Sequence, residues 1–138
     1  MKKIIVFFVI LLILTSMAVI EFLSNPLRKS EEHIQADLLD ALPIGTCMND
    51  VITMVENHRH WKVSGRIMDD IGIIVGPRGP SIGYPLPDEE EVGVKSMELL
   101  LGNYHAYFLI ETHVSAFIAF DKNSELIDIA IRKSMNVL

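Results

Sequence analysis

A chain of 138 residues, half of it apolar, with 12 basic and 18 acidic residues, has room for one small domain. Its first 29 residues carry Lys2, Lys3, Arg28 and Lys29 against Glu21, which leaves 8 basic and 17 acidic residues beyond them, a net charge of −9. Phosphate backbones are bound through basic patches, so an acidic body of this kind argues against nucleic acid as a partner.

The N-terminus reads first as a membrane segment. Lys2-Lys3 precedes the unbroken apolar run IIVFFVILLIL, and apolarity continues to Leu23. As a helix, Ile4 to Leu23 rises roughly 30 Å, the hydrocarbon thickness of a bilayer. The favoured reading is an uncleaved signal-anchor over residues 1–24, crossing the membrane with residues 4–23 and followed by a linker at 25–30. The positive-inside rule then places Lys2 and Lys3 in the cytoplasm and puts the body, residues 31–138, on the exported side of the membrane. The alternative is cleavage after Ala18, where Ser16-Met17-Ala18 offers small residues at signal-peptidase spacing, with release of the body. Cys47 lies too far downstream to be a lipid-attachment cysteine, and as the lone cysteine it excludes an internal disulfide.

Asn25-Pro26 ends the leader helix. Ser30 is a capping hydroxyl ahead of Glu31-Glu32, and Ile34, Leu38 and Leu42 recur every four residues, which predicts a helix ended by Pro43. Thr46 is expected to cap a second helix whose Met48, Val51, Ile52 and Val55 share one face, fading near Asn57-His58. From Trp61 the period becomes two, with Val63, Gly65 and Ile67 alternating against Lys62, Ser64, Arg66 and Met68. After a turn or bulge at Asp69-Asp70, Ile71 to Val75 continues as strand, and residues 76–93 are loop by composition. Strands over 95–101 and 104–110 are expected to meet at a Gly102-Asn103 hairpin turn, and strands over 113–120 and 125–132 at Asp121 to Ser124. In the last, Ile127, Ile129 and Ile131 should share a face. The fold class expected is α+β: a transmembrane or signal helix, then two short helices packed on one face of an antiparallel β-meander of about four to six strands.

No residue pattern names a reaction. Cys47 in the first turn of the second helix, with His58, His60, His105 or His113 as base, is the one route to a small thiol-dependent hydrolase. His58-Arg59-His60 has the spacing of a metal pair but no local third ligand, and adjacent Asp69 and Asp70 point to opposite faces of a strand, which spoils joint acid–base work. Gly76-Pro-Arg-Gly-Pro80 is no phosphate loop, since its prolines remove the N–H donors such a loop needs. Catalytic and metal residues are therefore assigned to none, and no cofactor is expected. Binding contacts are assigned to Trp61, Arg78 and Tyr84, the last opening a Tyr-Pro-Leu-Pro strip.

Leu42-Pro-Ile-Gly-Thr46 with Val51 beyond it, and later Phe120-Asp121-Lys-Asn-Ser-Glu-Leu126, resemble small bacterial envelope proteins of the BamE (SmpA/OmlA) type and the β-lactamase-inhibitor-like domains. Those proteins pair two helices with an antiparallel sheet, and the resemblance implies non-catalytic scaffolding or partner binding in the envelope. The expected function is a membrane-tethered, exported, protein-binding or envelope-maintenance domain with an envelope protein as partner. An immunity-type inhibitor that neutralises a basic toxin or hydrolase through the acidic surface is the alternative.

Overall fold

Lys2–Ser24 wind into α1. Its hydroxyls return to the backbone, Thr15 Oγ1 to the Leu11 carbonyl at 3.0 Å and Ser16 Oγ to that of Leu12 at 2.7 Å, so they carry little polarity to the helix surface. The stretch Ile4–Ser24 has a mean hydropathy of 2.8 and none of its most apolar window is buried by the rest of the chain, which suits a single-pass anchor or a signal peptide equally. This computed structural model describes residues 2–65, 67–107 and 109–137, and the backbone alone for Lys2, Lys3 and Glu21. Arg66, expected to alternate along a strand, and position 108, expected within one, lie outside the described residues.

The connector folds tightly. Pro26–Arg28 form a 3-10 helix capped by Asn25, whose Oδ1 accepts from the Leu27 N–H at 3.0 Å. In α2, Glu31–Ala41, the Ser30 hydroxyl accepts from the His33 N–H as the cap predicts, and Ile34 and Leu38 are buried. Helix α3, Met48–Asn57, buries Met48, Val51 and Val55. Its cap position belongs to Cys47, not Thr46, and no side chain caps it. Thr46 instead donates its hydroxyl to the Pro43 carbonyl at 2.6 Å, closing the turn. The helix's first N–H, on Met48, donates to the Ser124 carbonyl at 2.8 Å, so a distant turn supplies what a local cap would have.

Among the described residues seven strands follow: β1 (Lys62–Val63), β2 (Ile73–Val75), β3 (Ser81–Ile82), β4 (Glu90–Val92), β5 (Lys95–Tyr107), β6 (Ile110–Phe120) and β7 (Leu126–Val137). They form two antiparallel sheets, a main one ordered β1-β5-β6-β7 and a small one ordered β3-β2-β4. The α+β class holds, while a single meander does not. The strand expected from Trp61 to Met68 shrinks to Lys62–Val63 plus one bridge from Met68 to Ser96, because the chain leaves the sheet edge there. The 76–93 loop contains β3 and β4, which pair with either side of β2.

Gly102-Asn103 is not a hairpin turn. Strand β5 runs through it to Tyr107, with a bulge between Leu100 and Gly102. Gly102 has φ +144°, a conformation that favours glycine at the bulge, and Leu27 of the connector packs close by, its Cδ1 2.9 Å from where a Cβ would sit. Strand β7 begins with a register shift opposite Ala119/Phe120. Leu126 therefore joins Ile129 and Ile131 in the core, and Ile127, expected beside them, is left exposed.

Alternation along β6 divides the molecule into layers. Val114, Ala116, Ile118 and Phe120 face α2 and α3 in the main core, with Met97, Leu99 and Leu126 around them. Phe117 and Ala119 face the other way and carry the small sheet through Ile73, Ile82 and Val92. Each fully buried aliphatic or aromatic side chain contributes about 1.5–3 kcal/mol, so the helix face dominates the stability.

Candidate functional site

An apolar concavity lies where the connector, the helices and the sheet edge meet. Pro26 and Leu27 border it on one side, Ile34, Leu38 and Ala41 of α2 on another, and Met54 of α3, Trp61 and Leu101 complete it. It is open to solvent and has a volume of about 780 Å³. The local causes are plain. Helix α2 is buried through Ile34 and Leu38 but leaves Ala41 exposed, while Met54 stands on α3 away from the buried Val51 and Val55. Residues of both helices thus border one apolar floor.

Trp61 forms one wall. Its indole stacks on the His58 ring with centroids 3.9 Å apart and planes 15° apart. That contact holds a large amphipathic side chain, half-buried, at the mouth. Polar groups occur at the rim, where Asp37 pairs with Lys29 at 2.5 Å and Asn25 caps the connector. Such a groove can take apolar side chains and orient them with a few polar contacts.

Arg78 and Tyr84 lie elsewhere. Both belong to the small sheet's loops, which pack on the face of the main sheet opposite Trp61. Arg78 donates to Glu89 Oε1 through Nε at 3.0 Å and through a terminal nitrogen at 2.7 Å, so its charge is already engaged. Glu89 Oε2 accepts from the Leu86 N–H at 3.0 Å. This N–H, more than the guanidinium, holds the Glu89 carboxyl below the ordinary glutamate range. Tyr84 is 86% exposed. Trp61 on one face of the main sheet and Arg78 and Tyr84 on the other therefore do not form one patch.

Cys47 is exposed beside the Ser124–Leu126 turn, paired by a backbone bridge to Glu125, and its thiol makes no hydrogen bond to a histidine among the described residues. His58 and His60 have ring centroids 6.4 Å apart, and no group of three or more His, Cys, Asp or Glu among the described residues is placed to hold a metal. Asp69-Asp70 is an exposed bend. Sequence reasoning found Trp61 but missed Leu27, Met54 and Leu101, which converge on it only through the fold. The sole signal for Leu27 was an apolar residue inside an otherwise polar connector. No protein family, curated protein or solved structure matches the chain.

Proposed function

We propose that the chain is a membrane-tethered, exported, non-catalytic binding domain whose partner is a protein of the bacterial envelope. The apolar N-terminal helix supports the tether, and the favoured orientation puts the body on the periplasmic side of the inner membrane with Lys2 and Lys3 in the cytoplasm. The likeness of Leu42 to Thr46 and Phe120 to Leu126 to BamE-type proteins supports the same style of function. The single observation that carries the reading is the groove walled by Trp61 and Met54, an apolar concavity beside the connector and open to solvent.

Benzoylphenylalanine in place of Met54, in the full chain in cells, is expected to give a discrete photocrosslinked protein adduct. The same group in place of Asn49, exposed on α3 well round the helix from Met54, should not. Equal crosslinking at both positions, or none at Met54, overturns the groove as the contact surface.

An immunity-type inhibitor is the second reading, favoured by exposed Asp69, Asp70, Asp88 and Glu90 around the small sheet. Binding through them weakens as salt rises, whereas binding in the groove does not.

A further inference from the structure

One end of the main sheet is dressed in apolar side chains that the described residues leave largely exposed. Tyr107 is 75% exposed, Leu109 55%, Met135 72% and Val137 80%. Register brings them together, since Tyr107 pairs with Ile110, Ile110 with Val137 and Thr112 with Met135. A soluble surface rarely concentrates large apolar groups in this way.

The position of this tip identifies what covers it. Ala18 and Phe22 of α1 line one cavity with Tyr104, His105, Ala106 and Tyr107. Ala18 lies six residues before the helix end at Ser24, roughly 9 Å along the axis. The tip thus runs back alongside the apolar span instead of away from it. Arg28 fixes the arrangement, its guanidinium 3.3 Å from the centroid of the Phe22 ring and 4.7 Å from that of Tyr104, and it donates to the His105 carbonyl. Lys133 adds a second tie by donating to the Lys29 carbonyl.

We propose that the β5–β6 tip and the end of β7 are inserted in the interfacial layer of the same bilayer that α1 spans, with phospholipid as the covering partner. This rests on α1 being retained as a span. Apolar groups of peripheral segments sink roughly 5–10 Å into that layer, matching the depth set by Ala18. Tyrosine is suited to it because the ring enters the apolar side while the hydroxyl stays wet. Charge is arranged accordingly: although the residues beyond 29 carry a net charge of −9, Arg28 and Lys29 of the connector and Lys133 of β7 gather at this end, behind the apolar tip, at the level of headgroup phosphates.

Trp61 is the only tryptophan, so a Trp61→Phe chain is dark and accepts one probe at a time. The full chain would be reconstituted in phosphatidylcholine vesicles brominated on the acyl chains, carrying Tyr107→Trp, Phe22→Trp or Tyr84→Trp. The proposal expects Tyr107→Trp to emit to the blue and to be quenched nearly as strongly as Phe22→Trp, and several-fold more than Tyr84→Trp. Quenching of Phe22→Trp without that of Tyr107→Trp overturns the insertion while leaving the anchor intact. Quenching of neither overturns the anchor and the insertion together. Should Trp61→Phe fail to fold, a polarity-sensitive fluorophore on Tyr107→Cys in a Cys47→Ser chain reads the same depth.

Discussion

The two faces of the main sheet are covered by layers that hold in different ways. On the helix side, α2 and α3 bury a continuous apolar cluster against β5, β6 and β7, including fully buried Leu42, Val51, Leu99 and Phe120. On the other side, three short strands rest on Phe117 and Ala119 and owe much of their shape to polar contacts, chiefly Arg78 and the Leu86 N–H on Glu89. Close packing of large apolar surface gives cooperative stability, whereas a layer held by few apolar contacts opens at lower free energy. The small sheet should therefore be a separate, weaker unit riding on a stable platform. Strand β6 belongs to both through alternate residues.

The largest effect that tests this contrast is Phe120→Ala. The ring is fully buried in the helix-side cluster, and its removal should cost about 3–5 kcal/mol through lost transfer energy and the cavity left behind. Urea unfolding of the full chain in detergent micelles measures it. A loss below about 1 kcal/mol would mean that the helix face does not carry the fold.

The next effect is smaller and local. A Cβ on Gly76 would come within 2.6 Å of Glu89 Cγ, and Glu89 cannot swing aside without giving up its bonds to Arg78 and Leu86. Gly76→Ala should cost roughly 1–3 kcal/mol as overpacking, felt in the small sheet. Amide hydrogen exchange should speed up over residues 73–92 while β5, β6 and β7 keep their protection. Acceleration spread evenly over both sheets would break the comparison and make the molecule one cooperative unit.

The same contrast explains what was legible in the sequence. The helix side could be read because its signals are local: Ser30 as a cap, and apolar spacing through Ile34 and Leu38 and through Met48, Val51 and Val55. The small sheet could not, since β3 and β4 are two and three residues long, set among glycines and prolines, and stabilised by packing on Phe117 and Ala119. Gly102 misled for a related reason, because glycine serves both tight turns and bulges, and the continued pairing of β5 with β6 beyond it distinguishes them. The groove was half legible. Trp61 stood out alone, but Leu38, Met54 and Leu101 meet it from three separate elements.

Acidification should separate the layers most gently. Glu89 sits below the ordinary glutamate value in the folded chain because the Leu86 N–H, and then Arg78, favour its charged form. In the unfolded chain it regains the ordinary glutamate value. The unfolded state then binds more protons as pH falls, so the stabilisation is complete above that value and is lost as pH drops through the lower folded one. Glu32, at the first turn of α2, is also lowered, first by its backbone N–H and then by Ser30, so acid loosens both layers and wild-type chain alone cannot assign the change. Glu89→Gln can. The side chain of Glu89 is only 3% exposed, and the amide keeps its size while losing the charge. That variant should show faster proteolysis within residues 77–88 already at neutral pH, with no further acceleration there on acidification, while the α2 response persists. If instead the 77–88 segment still opens with acid in Glu89→Gln, some other group holds the small sheet shut, and the clamp to Arg78 is incidental to its stability.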